Sequence, residues 1–183
     1  MPSPGEVRIV FVGDSITEWW QDTPYWAEFS DYSLNLGVAG DRTEDVLWRL
    51  RTQLNDPDIQ PAVITVMIGT NHLWDESGDI VAGQMAVIAR LRELRPEAEI
   101  LVFSVLPTGD AALNQAMVEP INQRLAAAVE GILNTQFVDL YTHFVDSGGR
   151  GPRHLFPDGV HLSHDGYRLW RDLLLAKLAT YKA

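Results

Sequence analysis

Residues 7–15 read Val-Arg-Ile-Val-Phe-Val-Gly-Asp-Ser. The first six are mostly β-branched or aromatic, the composition of a short buried strand. Gly13 closes the run, and Asp14 and Ser15 are residue types that begin helices by capping a free backbone N–H. A strand that turns directly into a helix is the opening of a parallel α/β unit, because only parallel strands need a crossover of that length.

Working outward, the same alternation recurs along the chain. Residues 15–29 continue as an aromatic, helix-like stretch that Pro24 should break or restart. Residues 32–36 form a candidate second strand, closed by Gly37-Val-Ala-Gly40. Residues 43–54 place Val46, Leu47, Leu50 and Leu54 on one helical face. Residues 62–68 are an almost continuous apolar strand. Residues 80–94 carry Val81, Met85, Ile88, Leu91 and Leu94 at helical spacing and stop before Pro96. A fourth strand is predicted at 100–106, a helix at 113–133 bent at Pro120, and a weak fifth strand at 136–140. A Gly-, Pro- and His-rich loop follows at 141–162, and Ser163 should cap a final helix over 163–181. This alternation argues for five parallel strands with helices on both faces. No repeat, low-complexity tract or linker interrupts it, so a single domain over 1–183 is expected.

Composition narrows the function. The chain has 183 residues with 14 Lys and Arg against 25 Asp and Glu, a formal net charge of −11. Such an acidic balance disfavours nucleic acid, whose phosphates require clustered cations. The hydrophobic fraction is 46% with 21% charged, ordinary for a globular protein and unlike a disordered one. No window approaches the roughly 18 apolar residues of a membrane span. No signal peptide is visible, which leads to the expectation of a cytoplasmic protein. With no cysteine, disulfides, thiolate metal sites and a Cys nucleophile are excluded.

In an open parallel sheet the ligand site lies outside the carboxyl ends of the strands. Ser15 stands there, at a helix start where developing negative charge is favoured. The same position also suits a plain helix cap. Gly40 offers a backbone N–H in a tight turn and fits no dinucleotide or phosphate-loop spacing. Asn71, after the third strand, can donate an uncharged amide to an oxyanion or close an Asx-turn. Asp158 precedes His161 by three residues, so its carboxylate can fold back onto the ring and leave Nε2 outward as a base. A competing reading takes Asp158, His161 and His164 as metal ligands. Individually these are weak signals, but all of them fall on one rim.

In this order the motifs resemble the SGNH (GDSL-type) hydrolase superfamily: Gly13-Asp14-Ser15, Gly40, Gly69-Thr70-Asn71 and Asp158-x-x-His161. More narrowly, residues 11–17 (Phe-Val-Gly-Asp-Ser-Ile-Thr), 35–41 (Asn-Leu-Gly-Val-Ala-Gly-Asp) and 46–50 (Val-Leu-Trp-Arg-Leu) are similar to the platelet-activating-factor acetylhydrolase-like branch. The resemblance implies a three-layer α/β/α flavodoxin-like sandwich with a five-stranded parallel sheet. It further implies carboxylic ester hydrolysis through an acyl-enzyme, without metal or other cofactor. Ser15 would be the nucleophile, His161 the base and Asp158 its partner. The Ser15 and Gly40 N–H groups and the Asn71 amide would hold the oxyanion. Many members follow that Asn with Asp, whereas this chain has His72, a departure that concerns local hydrogen bonding.

Two other classes remain open at this stage: a metal-dependent hydrolase, and a noncatalytic binding module of the same fold. For an esterase, small-molecule acetyl or other short-chain esters of small alcohols, lipids or sugars are the expected substrates. Asp14, Trp19 and His72 are the candidate substrate-side residues. The cluster Trp19, Trp20, Tyr25 and Trp26 could wall an acyl pocket, or belong to the core.

Overall fold

The computed structural model describes residues 3–75 and 78–180. Its elements are β1 (Ile9–Gly13), α1 (Ser15–Glu18), β2 (Ser33–Gly37), α2 (Thr43–Arg49), β3 (Val63–Met67), α3 (Ile80–Leu94) and β4 (Glu99–Phe103). There follow α4 (Ala111–Leu113), α5 (Glu119–Val129), β5 (Thr135–Val138), α6 (Tyr141–Phe144) and α7 (His164–Ala179). The five strands lie in the order β2-β1-β3-β4-β5, all parallel. The order reverses at β1, so the crevice between the β1 and β3 ends is the switch point where such sheets bind ligands.

Burial on both faces follows from the strand composition. Val10, Val12, Ile64, Val66, Ile100 and Val102 pack with residues of α2, α3 and α5 on one side. Their neighbours Ile9, Phe11, Val63, Met67, Leu101 and Phe103 pack with α1 and α7 on the other. Successive strand residues point to opposite faces, so a continuous apolar run is what a two-sided sheet requires.

Several predicted elements differ; the helix expected over 43–54 ends at Arg49. The stretch 15–29 holds one α-turn, α1, followed by 3-10 turns at Trp19–Asp22 and Pro24–Glu28. Thr23 is extended (φ −109°, ψ 153°), the conformation that the following proline imposes. The aromatics there serve packing: Trp20 stacks on Trp170 at 4.2 Å, and Trp20, Trp26 and Phe29 meet the Phe11 ring edge-on. The stretch 113–133 is divided by a π-turn at Asn114–Val118, and its helix ends at Val129. Pro120 lies in the first turn of α5, where its missing N–H costs least, so the irregularity precedes it. The loop 141–162 contains the short helix α6. Ser163 caps α7 as expected, its Oγ accepting from the Gly166 N–H at 3.2 Å.

Candidate active site

The turn from β1 into α1 is sterically enforced. A Cβ on Gly13 would stand 2.1 Å from Thr17 Oγ1 and 2.5 Å from the Met67 carbonyl oxygen, so only glycine lets the helix begin there. Asp14 is the cap: its Oδ1 accepts from the Ile16 N–H at 3.0 Å. Ser15 is the first residue of α1 and is 7% exposed. Its Oγ lies 3.0 Å from His161 Nε2.

His161 is brought in from the far end of the chain by a loop that folds on itself. Its Nδ1 lies 2.7 Å from Asp158 Oδ2. The other carboxylate oxygen accepts from the Val160 N–H at 2.9 Å and the His161 N–H at 2.7 Å. Partial burial works to raise the Asp158 pKa, but the His161 and Val160 backbone donors and the His161 ring outweigh it and hold the carboxyl below its ordinary value. A carboxylate at Nδ1 favours the proton there, which leaves Nε2 free to accept from the Ser15 hydroxyl. The loop is anchored by Gly109, whose N–H donates to the Gly159 carbonyl at 2.8 Å. The Tyr167 hydroxyl ties α7 to α1 by donating to the Ile16 carbonyl at 2.8 Å.

Gly40 and Asn71 stand on the same rim, after β2 and β3. Gly40 has φ +84°, the left-handed region that glycine adopts without strain. Asn71 Nδ2 donates to the Asp41 carbonyl at 2.8 Å, which uses one of its two amide hydrogens. Asp41 is pinned in turn by Arg49, whose Nε and Nη2 donate to Oδ2. The sequence reading assigns a role to neither residue. The signal available was a carboxylate immediately after Gly40 and an arginine on the helix that follows.

Of the three candidate substrate-side residues, only Trp19 is accessible. It is 40% exposed and lies against His161, ring centroids 4.2 Å apart and planes inclined by 31°. Asp14 and His72 are buried. Burial pushes the Asp14 carboxyl up to about 7, and the Asp41 charge adds to that, against the Ile16 N–H that lowers it. His72 Nε2 accepts from the Thr43 N–H at 3.2 Å and thus braces the Asn71 turn against α2. Among the described residues no group of three His, Asp or Glu is placed to hold a metal ion. His164 faces the Tyr25 ring at 6.4 Å instead.

A cleft of about 1030 Å³ opens beside Asp158, between the loops that follow β3 and β4 and the segment after α6. Trp74, Asp110, Arg150 and Arg153 line it, a mixed polar and aromatic wall. Among the described residues no helix is long and apolar enough to cross a membrane.

Residues 11–169 match the model of the GDSL-like Lipase/Acylhydrolase family. Platelet-activating factor acetylhydrolase IB subunit alpha2 of Rattus norvegicus is 34% identical over 166 residues, covering 88% of this chain and 72% of the relative. The alpha1 subunit from the same organism is 33% identical over 182 residues, covering 95% and 78%. The crystal structure of a GDSL-like lipase from Bacteroides thetaiotaomicron superposes with a TM-score of 0.80, covering 98% of this chain and 91% of that one. At 21% identity that likeness concerns the fold alone.

Proposed function

The chain belongs to the GDSL-like lipase/acylhydrolase family and is a carboxylic ester hydrolase, and we propose that Ser15, His161 and Asp158 carry its chemistry. The observation behind this reading is the unbroken relay from Ser15 Oγ to His161 Nε2 at 3.0 Å and from Nδ1 to Asp158 at 2.7 Å. A serine hydroxyl is a weak nucleophile at its own pKa and needs an adjacent base. His161 takes the hydroxyl proton as Oγ attacks the ester carbonyl, and Asp158 stabilises the imidazolium that forms. The tetrahedral intermediate carries its negative charge on the former carbonyl oxygen. We assign its stabilisation to the Ser15 and Gly40 N–H groups and the second Asn71 amide hydrogen. His161 then returns the proton to the leaving alcohol as the acyl-enzyme forms. Water, activated by the same imidazole, frees the carboxylic acid and restores Ser15.

The substrates we propose are short acyl esters, acetyl above all. The acetylhydrolase relatives support the acyl part. For the alcohol part we assign the cleft beside Asp158, whose Trp74, Asp110 and Arg150 suit a polar group better than a long alkyl chain.

Intact-mass analysis after treatment with a fluorophosphonate tests the assignment. The expected result is one adduct, mapped to Ser15 and absent from Ser15→Ala. Ester hydrolysis that resists the reagent and is abolished by a chelator would overturn it in favour of a metal-dependent hydrolase.

A further inference from the structure

Gly40 is exposed, with open space where a Cβ would stand. Yet an oxyanion donor works only when preorganised, because a donor that must reorient during the reaction loses much of its effect. The constraint comes from its chain neighbours: the Ala39 N–H donates to Glu18 Oε2 at 2.7 Å on one side, and Asp41 is fixed on the other. Asp41 is covalently joined to Gly40, and its N–H donates back to the Val38 carbonyl at 3.2 Å. Its own carbonyl receives the Asn71 amide at 2.8 Å. Its carboxylate is gripped by Arg49, with Nε at 2.7 Å, and only 10% of the Asp41 side chain and 12% of the Arg49 side chain are exposed. Arg49 is itself anchored, donating through Nη1 to the Leu36 carbonyl in β2 at 3.0 Å and to Gln53 Oε1 at 2.6 Å. One residue therefore touches both loop-borne oxyanion donors, and one guanidinium ties that residue to the sheet and to the helix.

We propose that Asp41, clamped by Arg49, is the positioning residue of the oxyanion site, setting the Gly40 N–H and the Asn71 amide at a fixed mutual spacing. This rests on the assignment of Gly40 and Asn71 given above. Arg49 has a second effect through charge. Asp41 lies in an acidic neighbourhood, with Asp45, Glu18 and Asp14 all bearing on it or feeling its charge. Burial raises the Asp41 pKa against the Arg49 contacts that lower it, so without the guanidinium the ionised fraction of Asp41, which grows as pH rises, would oppose the negative charge that develops on the substrate oxygen.

The test is a double-mutant cycle on the full chain with a soluble acetyl ester, kcat being taken per site titrated by a fluorophosphonate. Losing an oxyanion donor outright costs roughly 10²–10³ in rate, and a residue acting through the donors should cost less. Asp41→Asn is expected to lower kcat roughly tenfold, and Arg49→Met on the order of 10², with KM within about twofold. Combining the two removes the stranded carboxylate, so the double variant should recover to near the Asp41→Asn level. A purely architectural pair predicts the reverse: the double variant at least as impaired as either single one, or unchanged kcat per titrated site. Arg49→Lys keeps the charge without the fork and should fall between wild type and Arg49→Met; it serves if Arg49→Met does not fold. Unchanged kcat in Asp41→Asn and both Arg49 variants, beside a slow Asn71→Ala, overturns the clamp alone. Normal turnover in Asn71→Ala overturns the oxyanion assignment and the clamp with it.

Discussion

Two regions meet at the Ser15 hydroxyl, and they are held in opposite ways. The β1–α1 turn is caged: Gly13 sits between Thr17 and the Met67 carbonyl with no room for a Cβ, and Asp14 is 1% exposed. The loop carrying Asp158 and His161 is open at its tip, with the Asp158 side chain 54% exposed, and takes its shape from hydrogen bonds made within three residues and from the Gly109 N–H on the Gly159 carbonyl. Ser15, the proposed nucleophile, is thus positioned by the core, and His161, the proposed base, by a knot tied to the neighbouring Gly109 loop. Changes at the first should be sorted by sterics and desolvation, and changes at the second by chemistry with little effect on stability.

The sharpest test of this contrast is Ser15→Ala. It should lower kcat by on the order of 10⁴–10⁶ while leaving the melting temperature close to wild type, since Asp14, not Ser15, caps α1. A folded Ser15→Ala protein that hydrolyses esters normally would remove the central assignment. Asp158→Asn should come next, with kcat reduced by roughly 10⁴, because an amide nitrogen facing Nδ1 imposes the wrong tautomer. Its thermal stability should change by less than about 1 kcal/mol, the scale of exposed pairs. If it melts much earlier than wild type, the Asp158 carboxylate holds more than its own three-residue turn.

The caged region should answer to pH instead. The folded Asp14 pKa, about 7, stands above its ordinary 3.8, so the protonated form is the one the fold favours. Its contribution is therefore complete below pH 3.8 and is lost as pH rises toward about 7. The amide introduced by Asp14→Asn cannot ionise, so that variant should gain on wild type by about 4 kcal/mol across that window. Urea unfolding of both proteins at pH 4 and pH 8 reads the difference; a gap independent of pH would show that the fold does not raise the Asp14 pKa.

Asn71→Ala is the smallest effect and separates two uses of one side chain. As an oxyanion donor it should cost roughly 10²–10³ in kcat, about 3–4 kcal/mol, with KM little changed. As a turn residue bonded to the Asp41 carbonyl alone, it should cost about 1 kcal/mol of stability and leave kcat intact. Melting temperature and kcat measured on one preparation decide between them.

Several features of this molecule were legible in the chain. The apolar runs at 7–12, 62–68 and 100–106 announced strands covered on both faces, because only such strands drop the polar half of the alternation. Ser163 was readable as a cap since capping is a local hydrogen bond. Helix extent was less legible. The 15–29 stretch looks helical, but its aromatics are drawn into the core around Phe11, and that demand overrides local propensity. Pro120 marked an irregularity in the 113–133 stretch, but not the π-turn at Asn114–Val118 that precedes it. Asn114 instead bonds Thr108 and the Gly149 carbonyl, 35 residues away.

For the site, the sequence by itself determined which residue types stand at the strand ends, and in what order. Strand termini follow from periodicity, and a carboxylate three residues before a histidine can reach its ring unaided. Only the tertiary structure decided that Ser15 and His161, 146 residues apart, come within 3.0 Å. It alone decided that Asp14 and His72 are buried, and that Arg49 reaches back to Asp41. Burial and long-range pairing depend on what the rest of the chain packs against each position, and no window of local sequence contains that information.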